Sequence, residues 1–189
     1  MAVRTLYLIR HGSFEKDGQW GKLGPPLNAK GRKQARRTAS VFRGLPVDAL
    51  YASTLTRARQ TAGIIAEELG VDGIRGSRLL HEVHPVALPD VTYEPGDEEI
   101  IAEHRKRAER SFEVYFKSCR KDRTEIIVAH GNMIRFLALK SLGAPLVRWP
   151  HLGVDCCGIS SFAILSGRET YLLSYNEIQH LPPSLRTDD

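Results

Sequence analysis

The sequence predicts an α/β protein with a single three-layer α/β/α domain, in which helices cover both faces of a mostly parallel sheet. Short apolar runs alternate with longer segments whose apolar residues recur every three or four positions, a pattern typical of strand–helix units. The last two predicted strands, 158–165 and 170–175, are separated only by the turn "SGRE", which predicts an antiparallel hairpin at one edge of the sheet. The length of 189 residues fits one domain with a sizeable core.

The first half of the chain contains two predicted strand–helix units. The first strand covers 5–10 and is followed by a loop rich in Gly and Pro. Small and apolar residues then recur at helical spacing, at Ala35, Thr38, Ala39 and Phe42. They predict a helix that has Asn28 as its N-cap and stops at Gly44. The second strand covers 48–53 and leads into a helix that ends at Gly70.

The second half continues the alternation. A short strand is predicted over 78–83, and a proline-containing loop over 84–97. The next helix has an apolar face with spacings of three and four, formed by Ile101, His104, Ala108, Phe112 and Tyr115. A buried strand is predicted over 125–129 and a helix over 132–142. Together with the closing hairpin, these elements complete the predicted sheet.

The composition excludes several classes of protein. Hydrophobic residues make up 42% of the chain and charged residues 26%, which is typical of a folded globular protein. No apolar run approaches the ~18 residues of a membrane helix, and the N-terminus lacks the pattern of a signal peptide. Three cysteines, two of them adjacent, form neither a disulfide framework nor a spaced metal site. We therefore expect a reduced, cytoplasmic protein without a membrane partner.

The positive net charge of +5 fits an anionic substrate, and it fits well-solvated basic helix faces equally well. The basic clusters "GRKQARR" at 31–37 and "HRKRAER" at 104–110 have no interleaved aromatic residues. Binding of nucleic acid usually needs such a combination on one surface, so we expect solvated helix faces and no nucleic-acid partner.

Two predicted strands end in the same way. "TLYLIRHG" at 5–12 and "EIIVAHG" at 125–131 both end on His-Gly and are followed by polar residues. Ligands of α/β sheets bind beyond the carboxyl ends of the strands, so His11 and His130 are expected to lie side by side. Gly12 allows a tight turn there, and a helix that starts after such a turn presents N–H groups to an anion.

Arginines accompany the histidines at these strand ends. Arg10 precedes His11 directly, and the junction "YASTLTRARQTA" brings Ser53, Arg57 and Arg59 to the end of another strand. A guanidinium group can donate two parallel hydrogen bonds to a phosphate. Two arginines and two histidines at one edge therefore predict a pocket for a dianion such as phosphate.

The order of the motifs resembles the histidine phosphatase superfamily, in its phosphoglycerate-mutase-like branch. The matching segments are "LIRHG" at 8–12, "PLNAKGRKQA" at 26–35, "YASTLTRARQTA" at 51–62, "LLHE" at 79–82 and "IIVAHGNMIR" at 126–135. The stretch from "RAERSFEVYF" to "GISSFAIL" is similar to the mitochondrial serine/threonine protein phosphatases of that branch. The resemblance implies one phosphoglycerate-mutase-like domain over 1–189.

The resemblance also implies a role for each residue at the predicted site. His11 matches the nucleophile that becomes phosphohistidine, and Glu82 matches the general acid. Arg10, Arg57 and His130 match the phosphate-binding residues, and we count His11 among the phosphate-binding and His130 among the catalytic residues as well. No metal and no other cofactor is needed by this chemistry.

The chain departs from the family pattern at some positions. Ser13 stands where many members have an acidic residue, and no Asn follows before Asn28, so a phosphate contact from this loop is unassigned. After Glu82 the chain continues as "VHPVALP" without the usual Gly, and His81 and His84 are alternatives for the general acid. The run "HEVH" lacks the H-E-x-x-H spacing of a zinc site, so we interpret it as loop.

Three functions are compatible with these observations. A phosphomonoester phosphatase, acting on small molecules or phosphoproteins, fits the motifs and the short chain. A phosphoglycerate mutase is the alternative, but the resemblance implies that mutases are longer and carry insertions. A catalytically silent scaffold that binds phosphorylated partners is the third reading, although all key side chains are present. The natural substrate and the oligomeric state are not predicted.

Overall fold

The computed structural model describes residues 2–88 and 91–187. They form a six-stranded mixed sheet with helices on both faces. The strand order is β3-β2-β4-β1-β5-β6. The strands are β1 (Arg4–Arg10), β2 (Ala49–Ser53), β3 (Arg75–Ser77), β4 (Arg123–Ala129), β5 (Ile159–Ile164) and β6 (Thr170–Glu177). The helices are α1 (Ala29–Val41), α2 (Thr56–Leu69), α3 (Asp97–Tyr115) and α4 (Gly131–Ser141). The predicted α/β fold class is confirmed.

The first four strands of this order, β3 to β1, run parallel, and β5 and β6 are antiparallel to their neighbours. The predicted hairpin at one edge is therefore confirmed. The central strands are buried on both faces, because helices cover both sides of a parallel sheet. Leu6, Leu8 and Ile126 are completely buried examples.

Two apolar layers hold the helices on the sheet. On one face, Ala39 of α1 and Ile65 of α2 pack with strand residues such as Leu50. On the other face, Tyr115 of α3 and Phe136 of α4 pack with a second set of strand residues. The helical spacing of these apolar residues in the sequence places them on the faces that meet the sheet.

The predicted cap of α1 and the predicted end of α2 are confirmed, whereas α1 ends at Val41, before the predicted stop at Gly44. The side chain of Asn28 accepts a hydrogen bond of 2.8 Å from the backbone N–H of Gly31 and so caps α1. Gly70 ends α2 in the left-handed conformation, with φ of 64°. At Gly31 a Cβ atom would lie 1.9 Å from the carbonyl oxygen of Ser13, so only glycine lets α1 approach the loop after β1 this closely.

The predicted strand over 78–83 is wrong. The edge strand is β3, three residues earlier, and Arg78–Leu80 forms a 3-10 turn whose start is capped by the hydroxyl of Ser77. Leu80 and Val83 are fully buried. These apolar side chains fill the core beneath a turn. A short apolar run in the sequence indicates burial but does not distinguish a turn from a strand.

The loop predicted over 84–97 has no helix or strand where it is described, up to residue 96; α3 begins at Asp97. Residues 89 and 90, including Pro89, lie outside the described residues. The indole N–H of Trp149 donates to the carbonyl of Val86 at 3.4 Å. This bond joins the loop to the 3-10 segment Leu146–His151 that follows α4.

Within the two described ranges, no helix combines the length and the apolar character that a bilayer crossing requires.

Candidate active site

Three parallel strands end side by side and supply the core of the site. His11 follows β1, Ser53 ends β2 and His130 follows β4, which lies between the other two. The rings of His11 and His130 are 5.0 Å apart between centroids. Residues more than a hundred positions apart therefore meet, because parallel strands present their carboxyl ends at one edge.

Arg57, in the first turn of α2, connects the two histidines. Its Nε–H donates to Nε2 of His11 at 2.9 Å, and its Nη2–H donates to Nδ1 of His130 at 3.1 Å. A guanidinium group has only donors, so both ring nitrogens must be unprotonated. One arginine thus determines the tautomer of each histidine.

The other nitrogen of each ring makes a bond that agrees with these tautomers. Nδ1 of His11 lies 2.9 Å from the carbonyl oxygen of Gly12 and donates its proton there. Nε2 of His130 lies 2.8 Å from the hydroxyl of Ser53 and donates to it. As a result, His11 directs the lone pair of Nε2 towards Arg57, at the point where an anion would meet the guanidinium.

Both histidines are held neutral. Burial, and next the charges of Arg57 and Arg10, lower the pKa of His11 to about 3, against an opposing contribution from the bond to Gly12. Burial lowers the pKa of His130 well below its ordinary value, and the neighbouring His11, Arg57 and Arg10 act in the same direction. A neutral imidazole can act as a nucleophile, and an imidazolium cannot.

Glu82 lies at the N-terminus of α4. Its Oε1 accepts backbone N–H bonds from Asn132 at 3.1 Å, Met133 at 3.2 Å and its own neighbour Val83 at 3.1 Å. Removal from water raises the pKa of this carboxyl, although the N–H bonds and the charges of the two site arginines lower it. The desolvation is the larger effect, which favours the protonated acid.

Arg10 completes the cationic side of the site. Its Nη1 donates to the carbonyl oxygen of Val154. A Cβ atom on Gly131 would lie 3.6 Å from Nε of Arg10, so this guanidinium rests against the start of α4. Its charge lowers the pKa of His11, Glu82 and His130.

The five residues predicted for the site are therefore brought to one strand edge: Arg10, His11, Arg57, Glu82 and His130. Arg59, which the sequence placed at the same junction, is exposed and lines a separate groove with Leu23 and Ile74. On a helix, residues two positions apart point to different sides, and Arg57 alone faces the histidines.

Sequence reasoning missed two contributors. The ring of Phe14 lies 5.4 Å from the ring of His11, and the guanidinium carbon of Arg57 lies 5.2 Å from the centroid of Phe14. Thr61 accepts the backbone N–H of Gly12 at 3.0 Å and donates to the carbonyl of Arg57 at 2.8 Å. Its place in the matched motif "YASTLTRARQTA" and its spacing of one helical turn from Arg57 were the signals that could have indicated Thr61.

Some polar residues near the motifs have other partners. Ser13, whose role was unassigned, accepts a bond of 3.0 Å from the side-chain amide of Asn28. His81 bonds the hydroxyl of Thr54 at 2.6 Å, and burial lowers its pKa. His84 is exposed, and its backbone N–H donates to Nδ1 of His104 at 3.0 Å.

The metal interpretation of "HEVH" has no support from the geometry. Outside residues 1, 89–90 and 188–189, which are not described, no group of three or more His, Cys, Asp or Glu side chains is placed to hold a metal ion.

Comparison with known proteins identifies the family of the chain. The family model "Histidine phosphatase superfamily (branch 1)" matches residues 6–93 and 85–177. The mitochondrial serine/threonine-protein phosphatase Pgam5 of Caenorhabditis elegans is 31% identical over 190 residues. The alignment covers 97% of this chain and 66% of that protein, so the chain spans less than two thirds of the relative's length.

Solved structures show the same fold. YhfR of Bacillus stearothermophilus superposes with a TM-score of 0.74 at 22% identity, covering 94% of this chain and 98% of that one. A phosphoglycerate mutase of Plasmodium falciparum superposes with a TM-score of 0.66 at 22% identity and covers 96% of both chains. The two family-model matches together span most of the sequence, and the chain therefore belongs to the histidine phosphatase superfamily, branch 1.

Proposed function

We propose that the chain, as one histidine phosphatase domain over 1–189, hydrolyses phosphomonoesters through a phosphohistidine on His11. The observation that carries this proposal is the bond from Nε of Arg57 to Nε2 of His11. It leaves Nε2 unprotonated beside a phosphate-binding guanidinium. A substrate phosphate that binds Arg57 is thereby brought to the nucleophilic nitrogen.

In the first step, Nε2 of His11 attacks phosphorus and forms a P–N bond while the ester P–O bond breaks. The proton stays on Nδ1 and is donated in a hydrogen bond to the carbonyl oxygen of Gly12, which stabilises the positive charge that develops on the ring. Arg10, Arg57 and His130 bind the phosphoryl oxygens, and the two arginines stabilise the charge of the transition state.

Glu82 supplies the proton that the leaving oxygen needs. Because three backbone N–H groups already bond Oε1, the proton belongs on Oε2. The raised pKa of this carboxyl supports the role of general acid. In the second step water attacks phosphorus, Glu82 takes up the proton of the water, and the P–N bond breaks to release phosphate.

His130 changes its state in the reaction cycle. In the unliganded site it is neutral, because burial and nearby positive charge lower its pKa. A bound phosphate dianion adds two negative charges beside the ring, which favours the imidazolium. Protonated on both nitrogens, His130 donates to a phosphoryl oxygen and retains its bond to Ser53.

For the substrate we propose a phosphorylated protein side chain or a small phosphomonoester. The name of the Caenorhabditis elegans relative gives phosphoserine and phosphothreonine proteins as the substrate class to test first. The predictions that neither nucleic acid nor membrane is a partner stay predictions. The predicted cytoplasmic location also stays a prediction, since the relative is named mitochondrial; fractionation of the expressed protein between cytosol and mitochondria tests it.

The test of this function is the His11→Ala variant. We expect it to lose turnover of p-nitrophenyl phosphate while thermal unfolding stays cooperative. Brief incubation of the unmodified protein with labelled substrate should place acid-labile, base-stable phosphate on His11. Label on another residue, or substantial turnover by the variant, contradicts the proposal. Activity that requires 2,3-bisphosphoglycerate and releases no phosphate identifies a mutase instead.

A further inference from the structure

A second concave surface adjoins the candidate active site. It is a cleft of about 340 Å³, and we call it the basic cleft. Its lining residues are Arg10, Ser13, Phe14, Lys16, Lys30, Cys156, Arg186 and Thr187. Two of them also belong to the active site: Phe14 packs against the ring of His11, and the charge of Arg10 lowers the pKa of that histidine. The basic cleft therefore borders the candidate active site through these two residues.

The charged residues that line the basic cleft, within the described part of the chain, are all basic. Half of its described lining residues are cations, and none of the described lining residues is acidic. Lys30 donates to the carbonyl of Arg186 at 2.6 Å, and Nε of Arg186 donates to the carbonyl of Leu181 at 3.0 Å. Lysine has three donors and arginine five, so Lys30 and Arg186 each have donors beyond those used in these bonds.

The walls of the basic cleft are held at a defined spacing. The buried amide of Gln34 accepts the backbone N–H of Ser13 at 2.7 Å and donates to the carbonyl of Leu185 at 2.7 Å. The backbone N–H of Cys156 donates to the hydroxyl of Thr187 at 3.1 Å. These bonds connect the loop after β1, helix α1 and the C-terminal segment, so the cations are carried by a defined frame.

We propose that the basic cleft binds a second anionic group, a carboxylate or a phosphate, on the same substrate whose phosphate reacts at His11. This inference rests on the proposed phosphatase function and narrows its substrate class. Because Arg10 lines the basic cleft and is also a proposed phosphate ligand, a group next to a substrate phosphate on Arg10 can extend into the cleft. A carboxylate there meets Lys16 and Lys30, whereas a neutral group gains nothing from them. The second anion is either part of a small molecule or an acidic residue beside a phosphorylated side chain.

The test compares two small substrates that differ in one group. 3-Phosphoglycerate carries a carboxylate where glycerol 3-phosphate carries a hydroxymethyl group. We expect kcat/KM for phosphate release to be roughly tenfold higher for 3-phosphoglycerate, because two partly exposed ion pairs contribute a few-fold each. The ratio should fall as salt concentration rises, since exposed charges are screened.

Variants of the cleft identify the cations responsible. Lys16→Ala and Lys30→Gln should each lower the ratio of the two kcat/KM values, and the double variant should bring it close to one. Glutamine at position 30 removes the charge and retains an N–H donor, on a side chain one atom shorter. Lys33→Ala is the matched control, because Lys33 is an exposed residue of the same helix outside the basic cleft, and the ratio should not change.

A pair of phosphoserine peptides, one with aspartates and one with alanines beside the phosphoserine, distinguishes the source of the anion. A preference for the acidic peptide supports a protein substrate, and a preference confined to 3-phosphoglycerate supports a small molecule. Equal rates within both pairs, or a preference that the lysine variants leave intact, overturns the inference. Turnover of p-nitrophenyl phosphate that depends on His11 is measured in parallel, so failure of the proposed function is recognised separately.

Discussion

Replacing Arg57 by alanine removes the side chain that links the two histidines. The variant loses one N–H bond to His11 and one to His130, together with a positive charge in a part-buried site. Loss of a single preorganised donor typically lowers kcat by 10²–10³-fold. Because Arg57 contributes two donors and a charge, we expect a loss of about 10³-fold in kcat/KM, which corresponds to about 4 kcal/mol of transition-state stabilisation.

The same change alters the ionisation of His11. Burial is the main cause of its pKa of about 3, and the charge of Arg57 is the next. In Arg57→Ala the pKa should rise from that value and stay below 6.5, because the burial remains. Arg57→Lys keeps the charge without the planar fork, so it should preserve most of the lowered pKa and still lose most of the activity.

The assays are kcat/KM with p-nitrophenyl phosphate and an NMR titration of the imidazole C–H signals. Arg59→Ala is the matched control, because Arg59 is an exposed arginine two residues later on the same helix; its activity should not change. A loss of less than tenfold in Arg57→Ala, or an unaltered pKa of His11, would refute the assignment of Arg57 as the connecting donor.

Two further predictions concern the remaining ionisable groups. Glu82→Gln should slow hydrolysis of an alkyl phosphate by roughly 10²–10⁴-fold but barely affect phosphoryl transfer from p-nitrophenyl phosphate, whose leaving group needs no proton. Burst kinetics separate this transfer from the second step. Equal slowing of both substrates without a burst contradicts the role of Glu82 as the acid. His11 and His130 are neutral in the fold and have ordinary pKa values near 6.5 when unfolded, so the unfolded chain takes up protons first as the pH falls below about 6.5. The free energy of unfolding should therefore decrease towards acid by up to about 1.4 kcal/mol per pH unit for each histidine. Urea unfolding of His11→Gln from pH 7 to 4.5 should show a shallower decrease than the unmodified protein, and an identical slope would count against a buried neutral His11.

Much of the architecture follows from local patterns in the sequence. The buried strands β1 and β4 and the capped helices α1 and α2 were predicted within one or two residues, because periodicity and capping residues are local signals. The edge strand β3 was misplaced, because it has only three residues, two of them exposed, and its apolar neighbours belong to a buried turn. A short, exposed edge strand lacks the alternation of apolar and polar residues by which a strand is recognised in a sequence.

Four of the five functional residues were also readable from strand ends in the sequence, since Arg10, His11, Arg57 and His130 lie at or just after strands whose carboxyl ends meet at one edge. Glu82 follows no strand and was indicated only by the family resemblance. The hydrogen bonds that connect these residues were not readable from the sequence. Arg57 bonds histidines 46 and 73 residues away, and Glu82 accepts N–H groups 50 and 51 residues away. The sequence by itself therefore determined that Arg10, His11, Arg57 and His130 reach the edge, through strand periodicity and chain order. Only the tertiary structure decided the tautomers, the lowered pKa of His11 and the position of Glu82, because these depend on distances and burial created when separate segments pack together.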